Sequence, residues 1–539
     1  MTGRWNTSVA ELLTARVGDH RTALTWAGQD GVVRRVSWDE HLRRSAARAA
    51  WLTERLPAAG EGPRHVGVLM ENVAEFSFLL GAAGLGGFTL VGLNPTRGAV
   101  EVARDARHTD CALIVTETPF LAMVRDSGIP VVNVDLPDRW LPRPEPGARR
   151  PVAQNPAELP FMLILTSGTT SAPKAVICSQ GKVASQGSTV AQHRGLTADD
   201  VLYCAMPLFH SNAVIAAWIP ALASGATLAL RRRFSASGFL ADVRRFQATY
   251  ANYVGKPLAY ILATPEQPDD SDNTLRQVFG NEAAPADVER FAKRFDCAVT
   301  DGFGSTEGGI SFYRLPSTPP GALGVPVGDV RIVNTETGAE CAVGEVGEMV
   351  NFAGAGAFEG YYRHQEADAA RLRDGRFWSG DLAYRDDQGN FHFAGRSGDW
   401  IRVGGENFAS GPITRTVEEW EGAVSAAAYG VPDAASGDQV MVALEPSRPF
   451  DPDALAAHLE SRAIPDLWWP RYIRIVASMP RTATNKIVVR DLVAEAWHTP
   501  DPVFLRSGRG RRFRVLTDVE RMTLAREFDE HGRTPPGHR

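Results

Sequence analysis

A chain of 539 residues is too long for one hydrophobic core and should divide into two or more domains. Its 44% hydrophobic and 22% charged content is that of an ordinary globular protein, and a formal charge of −6 leaves no basic footprint for nucleic acid or an anionic membrane surface. The cysteines at 111, 178, 204, 297 and 341 are scattered and without C-x-x-C spacing, so they read as reduced, mostly buried thiols of a cytoplasmic protein rather than as zinc ligands.

In chain order, the N-terminus Met1-Thr2-Gly3-Arg4-Trp5-Asn6 has no apolar signal core. An amphipathic pattern predicts a helix over 38–56, followed by apolar strand-like runs at 65–69, 89–93, 112–115 and 131–134, with a helix over 100–107. The apolar stretches 76–93 and 213–230 are broken by glycines or proline and predict no transmembrane segment. Residues 142–156 form a proline- and arginine-rich connector. The run Phe161-Met162-Leu163-Ile164-Leu165 then leads into Thr166-Ser167-Gly168-Thr169-Thr170-Ser171-Ala172-Pro173-Lys174, a strand delivering a polar loop to the edge of a sheet. Backbone N–H groups and short hydroxyls can wrap phosphate oxygens, with a lysine as opposing charge. The spacing and second glycine of the P-loop NTPase motif are missing. Lysine is scarce: 174, 182, 256, 293 and 486 are five lysines among 57 basic residues, so each retained one points to a need for a compact point charge.

Further strands are predicted at 201–205 and 227–230 and a helix at 286–295, so strands alternate with helices as in stacked, mostly parallel α/β sheets. From about 322 to 395 shorter strands and acidic-glycine turns predict a β-rich subdomain, with Asp386–Gly389 as one β-turn. Gly395-Arg396-Ser397-Gly398-Asp399 suits a hinge at about 396–399, dividing residues 1–396 from a small α+β domain over 397–539. The tail is arginine-rich, with one helical stretch at 519–531.

In order and spacing, these motifs resemble those of the adenylate-forming enzymes: acyl-CoA synthetases, nonribosomal adenylation domains and firefly luciferase. The similarity covers nearly all of the chain. Residues 93–97 and the tail around Trp497 most resemble bacterial fatty-acid-transport-like acyl-CoA synthetases. The resemblance implies an acid–thiol ligase that makes an acyl-adenylate from a carboxylic acid and ATP with Mg²⁺, then passes the acyl group to coenzyme A. The acid would be a fatty or natural-product carboxylic acid. Thr166, Ser167, Gly168, Thr169, Thr170 and Lys174 match the family's phosphate loop. Phe303-Gly304-Ser305-Thr306-Glu307 resembles its aromatic-Gly-x-Thr-Glu motif: Phe303 and Gly304 at the adenine, Thr306 at the α-phosphate, Glu307 on Mg²⁺. Gly280, Asn281, Glu282 and Ala283 match the other adenine wall. Asp381 matches the ribose ligand and Arg396 the arginine near ribose and phosphate. His210, in Pro207-Leu208-Phe209-His210, would lie near the reacting carboxylate, and its place argues for an acid without an α-amine. Arg402, Gly404 and Gly405 resemble the loop used in thioesterification, and Lys486 the lysine bridging carboxylate and α-phosphate.

Three departures from the family pattern bear on adenylation or on switching between the half-reactions. Ser171 and Ala175 stand where glycine is usual, and a Cβ restricts close backbone approach to phosphate. Gly398 stands at the pivot, where aspartate or lysine is usual. These departures leave open a ligase weak in adenylation that turns a supplied acyl-adenylate into the thioester, with a partner enzyme making the adenylate. An adenylation enzyme loading a carrier protein, a luciferase-like oxygenase and a non-catalytic nucleotide-binding protein are further readings. The acyl pocket is expected to be roomy and mostly apolar, walled by 213–221, 252–260, 281–284 and 308–312. The acid's identity and the oligomeric state, a homodimer included, stay open.

Overall fold

The computed structural model describes residues 4–28, 30–136, 140, 155–166, 173–315, 317–396, 400–403, 406–434, 438–462, 464–482, 487–506 and 510–530. Two large sheets carry the first two thirds. The six-stranded one runs Val131–Asn133, Cys111–Thr116, His65–Leu69, Thr89–Gly92, Pro160–Thr166, Lys174–Ser179, parallel except for its last pair. In the nine-stranded sheet, Ala298–Gly304, Gln277–Asn281, Tyr250–Val254, Val201–Cys204, Thr227–Leu230 and Thr22–Ala27 run parallel side by side, with antiparallel strands closing both ends. Crossover helices link the parallel strands, as the alternation in the sequence predicts.

The apolar stretch 76–93 proves to be two elements. Helix Ala74–Gly86 is apolar all round and buried along its length, as expected of a helix between packed layers. It ends at Gly87, whose φ of +61° lets the chain turn into strand Thr89–Gly92. Gly81 lets it approach helix Trp38–Thr53, because a Cβ there would lie 2.3 Å from Ser45 Oγ. Among the described residues no helix is long and apolar enough to cross a membrane.

The β-rich region comprises Val330–Val333, Gly347–Asn351, Leu372–Arg373, Arg376–Arg385 and Phe391–Arg396. The Asp386–Gly389 turn closes with a bond from Gly389 N to Asp386 O, at 3.0 Å. Beyond it, a mixed five-stranded sheet (Ala423–Pro432, Asp438–Pro446, Tyr472–Ile475, Val503–Arg506, Phe513–Val515) has apolar clusters of its own, around Val442, Leu455 and Trp469 on one side and Met441, Trp497 and Phe528 on the other. The tail is therefore part of this sheet's packing: it supplies two strands, and helix Asp518–Glu530 buries Phe528. All five cysteines are free and buried.

Candidate active site

Strands Pro160–Thr166 and Lys174–Ser179 form an antiparallel hairpin at the edge of the six-stranded sheet, with Thr166 paired to Lys174. Ser167, Gly168, Thr169, Thr170 and Ser171, between these two strands in the sequence, lie outside the described residues, as do Gly398, Gly404, Gly405 and Lys486 and the side chain of Arg402. Ala175 is buried and accepts Tyr362 N at 2.8 Å. That bond carries Tyr361 beneath Lys174, whose Nζ lies 5.3 Å from the Tyr361 ring centroid. Burial and then Arg371 lower the Lys174 pKa, against the attraction of Glu307.

Thr306 and Glu307 follow strand Ala298–Gly304 and are held from three sides. Ser211 Oγ lies 2.8 Å from Thr306 Oγ1, and the Tyr361 hydroxyl donates to Glu307 Oε1 at 2.9 Å. Fully buried Lys182 donates to the carbonyls of Thr306 and Glu307, each at 3.0 Å. Burial opposes ionisation of Glu307, but its own backbone N–H, the Tyr361 hydroxyl, Arg371 and Arg396 outweigh it and hold the carboxyl below its ordinary range. Lysine scarcity marked Lys182 in the sequence, but not its role in holding this loop.

His210 sits at the start of a short helical segment, its ring 4.5 Å from that of Phe209. The loop carrying it is fixed by buried Asn72, which donates to Met206 O at 2.8 Å and accepts Leu208 N at 2.9 Å. Phe303 packs edge-on to Phe312 at 5.6 Å. Asn281 Nδ2 donates to Gly302 O at 2.8 Å, and Glu282 takes a φ of +70° beside it. Beneath this turn, half-buried Asp301 accepts the Tyr253 hydroxyl at 2.6 Å and Ala283 N at 3.0 Å. Gly280 sits so close to Tyr253 that a Cβ would lie 2.3 Å from its carbonyl oxygen. Buried Asp381 pairs with half-exposed Arg396 at 3.2 Å.

Lys174, His210, Asn281, Glu282, Phe303, Gly304, Thr306, Glu307 and Arg396 line one cavity of about 780 Å³, whereas Gly280, Ala283 and Asp381 are not part of its lining and lie next in the chain to residues that are. The predicted walls contribute Ile215, Ala216, Val254 and Gly308–Phe312. Two further walls went unread in the sequence. One is a face of helix Gln180–His193, whose polar residues look like a solvated surface. The other is Arg4 and Trp5: Trp5 lies so close to Gly181 that a Cβ there would clash with it, and its Nε1 donates to Glu359 at 2.9 Å. Asp301 and Arg371 were likewise missed; Arg371 lines the cavity and reaches the Tyr361 hydroxyl at 3.4 Å.

Residues 13–362 match the model of a family described as AMP-binding enzyme. The medium/long-chain-fatty-acid–CoA ligase FadD17 of Mycobacterium marinum is 50% identical over 475 residues, which is 87% of this chain and 93% of that protein. The steroid-22-oyl-CoA synthetase of Rhodococcus jostii is 44% identical over 98% of both chains. Among solved structures, ATP-bound MatB from Rhodopseudomonas palustris superposes with a TM-score of 0.76 at 22% identity, covering 90% of this chain and 98% of that one. The anthranilate CoA ligase AuaEII with anthranoyl-AMP gives 0.78 at 20% identity, covering 92% and 99%.

Proposed function

This chain belongs to the AMP-binding enzyme family, and from that premise we propose how its residues divide the work of an acid–thiol ligase. The chain is an acyl-CoA ligase: it uses ATP to convert a carboxylic acid to an acyl-adenylate and transfers the acyl group to coenzyme A. A carboxylate oxygen attacks the α-phosphorus and pyrophosphate leaves; the thiol then attacks the acyl carbon and AMP leaves.

In our reading, Lys174 and the Thr166–Thr170 hydroxyls and amides hold the β- and γ-phosphates. Thr306 orients the α-phosphate, steadied by Ser211. Phe303 stacks on the adenine against the Gly280–Ala283 turn, and Asp381 accepts the ribose hydroxyls with Arg396 beside it. Lys486 bridges carboxylate and α-phosphate, stabilising charge that builds between them. His210 borders the reacting carboxylate, while Arg402, Gly404 and Gly405 serve the thioester step. Residues 397–539 move as a unit about 396–399 between the two half-reactions. Glu307 suits Mg²⁺: it is an ionised, half-buried carboxylate beside the phosphate site, and this ion is commonly held by one or two carboxylates plus substrate phosphates. The ion would offset charge on the phosphates.

We assign the acid to an apolar class, a medium or long fatty acid or a steroid side-chain acid. The names of the two similar ligases support this, as does a cavity that continues beyond Thr306 along helix Gln180–His193. We place the activity in the cytoplasm, where ATP and CoA are supplied. The observation that carries the reading is the convergence of Lys174, Thr306, Glu307 and Arg396 on one cavity.

A paired assay tests it. One arm supplies fatty and steroid acids with ATP, Mg²⁺ and CoA; the other supplies the matching acyl-adenylates with CoA alone, and both are read by mass. Acyl-CoA is expected in both arms. Product from adenylates alone would instead mean a lost first half-reaction, pointing to Ser171, Ala175 and Gly398.

A further inference from the structure

The cavity wall beyond the reacting centre carries a cation that no carboxylate among the described residues balances. Helix Gln180–His193 presents Ser185, Gln186, Thr189, Val190, His193 and its C-cap residue Arg194 to the cavity, a spacing that places them on one helical face. Gln186 marks the reacting end, because a Cβ on Gly308, next to Glu307, would lie 2.9 Å from its Nε2. Arg194 lies eight residues on, roughly 12 Å along the helix axis. Opposite it, Phe279 and Thr300 are register neighbours in the nine-stranded sheet. The Arg194 guanidinium donates to Thr300 Oγ1 at 2.7 Å and lies 5.4 Å from the Phe279 ring centroid. Gln277 Nε2 fixes its backbone by donating to Arg194 O at 2.9 Å.

The partners of the guanidinium are thus a hydroxyl and a ring, both neutral, and burial lowers its pKa. Partial desolvation of a cation with no counter-charge is unfavourable unless something else completes its donors. The other guanidinium groups lining the cavity are different: Arg4, Arg314 and Arg371 donate to backbone carbonyls, and Arg396 pairs with Asp381.

We propose that Arg194, seated on Thr300 and Phe279, is a specificity-determining residue that receives a second oxygen function, a carboxylate or a carbonyl, at the end of the acid remote from the carboxyl being activated. A guanidinium fork suits either acceptor and cannot be satisfied by a methyl terminus. The inference rests on the reading of this cavity as the acyl pocket.

Its test compares matched acids: dodecanoic with dodecanedioic, tetradecanoic with tetradecanedioic, and a steroid side-chain acid with and without a ring ketone. The wild type should prefer the oxygen-bearing member of at least one pair by about tenfold in kcat/KM, mainly through KM. Arg194→Leu should bring that ratio close to one, and Arg194→Lys should recover part of it. Thermal melting establishes that each variant folds; should Arg194→Leu not fold, Arg194→Gln carries the comparison. A wild type without preference in any pair, or a ratio undiminished in the variant, overturns the inference alone. No acyl-CoA from any acid overturns the acyl-pocket reading, and the inference with it.

Discussion

Asp301 carries an open conflict between charge and burial. It lies under the turn assigned to the adenine wall, and burial raises its pKa from 3.8 to about 6, although the Tyr253 hydroxyl and Ala283 N–H favour the ionised form. Between those two values the folded chain holds a proton that the unfolded chain has released. Stability from this group is therefore greatest below about pH 4 and is lost as pH rises to about 6, with a full effect of about 3 kcal/mol. Asparagine would keep the acceptor oxygen for both donors and remove the titration. The stability of Asp301→Asn relative to wild type, from denaturant melts, should accordingly rise between pH 4 and 6.5 and then level. A flat or falling difference would refute the assignment. Lys182 shows how far residue-level reading reaches: composition marks it as a retained point charge, but its task depends on two carbonyls far along the chain that only folding brings to it.

Strand Thr89–Gly92 positions the His210 loop by being narrow where that loop crosses it. A Cβ on Gly92 would lie 2.7 Å from Phe209 O and 3.0 Å from Phe209 Cα, backbone atoms with no rotamer to relieve the clash. The far side of the loop is held by Asn72, so it can shift only by breaking those amide bonds. Gly92→Ala should therefore cost about 1–3 kcal/mol of stability and lower kcat/KM at least tenfold through a displaced His210. A variant unchanged in melting temperature and in kcat/KM would show that the loop is not held there. Elements of this buried, apolar kind were legible: 65–69 and 227–230 were read with the bounds the structure gives, because parallel strands covered on both faces appear as continuous apolar runs. The strand that delivers the phosphate loop was read too, at 161–165, but two others that bear the site were not. Ala298–Gly304 contains Thr300-Asp301-Gly302, and Gln277–Asn281 ends in Gly280-Asn281, so the residues that make room for a ligand remove the strand pattern. Polar Ser185, Gln186 and Thr189 hid a cavity wall in the same way.

At the scale of the whole molecule, the order of motifs was enough to name the family and its α/β architecture, because the same residues recur around one chemistry. Contacts between distant parts had no such pattern to reveal them. Lys256, after strand Tyr250–Val254, pairs with Glu418 in helix Ser410–Glu418, and both side chains are nearly buried, at 12% and 11% exposure. Nearby, the Arg481 guanidinium stands 5.0 Å from the Tyr260 ring centroid. These contacts tie the proposed mobile unit, 397–539, to the large one in the arrangement described. A glycine at position 398 supplies no charge there, and the Lys256–Glu418 pair supplies one elsewhere. Removing one member of a buried pair leaves an uncompensated charge, typically at a cost of about 3–5 kcal/mol, whereas removing both is far milder. Rotation would bring Glu418 back to water, so Lys256→Gln should shift the population away from this arrangement rather than unfold the chain. The expected outcome is faster proteolysis at 396–405 and a several-fold change in the ratio of adenylation to thioesterification rates. Lys256→Gln with Glu418→Gln should return both readings most of the way to wild type. If both half-reactions slow equally, or the double variant is no closer to wild type than the single one, the pair is a fixed strut and the units do not part there.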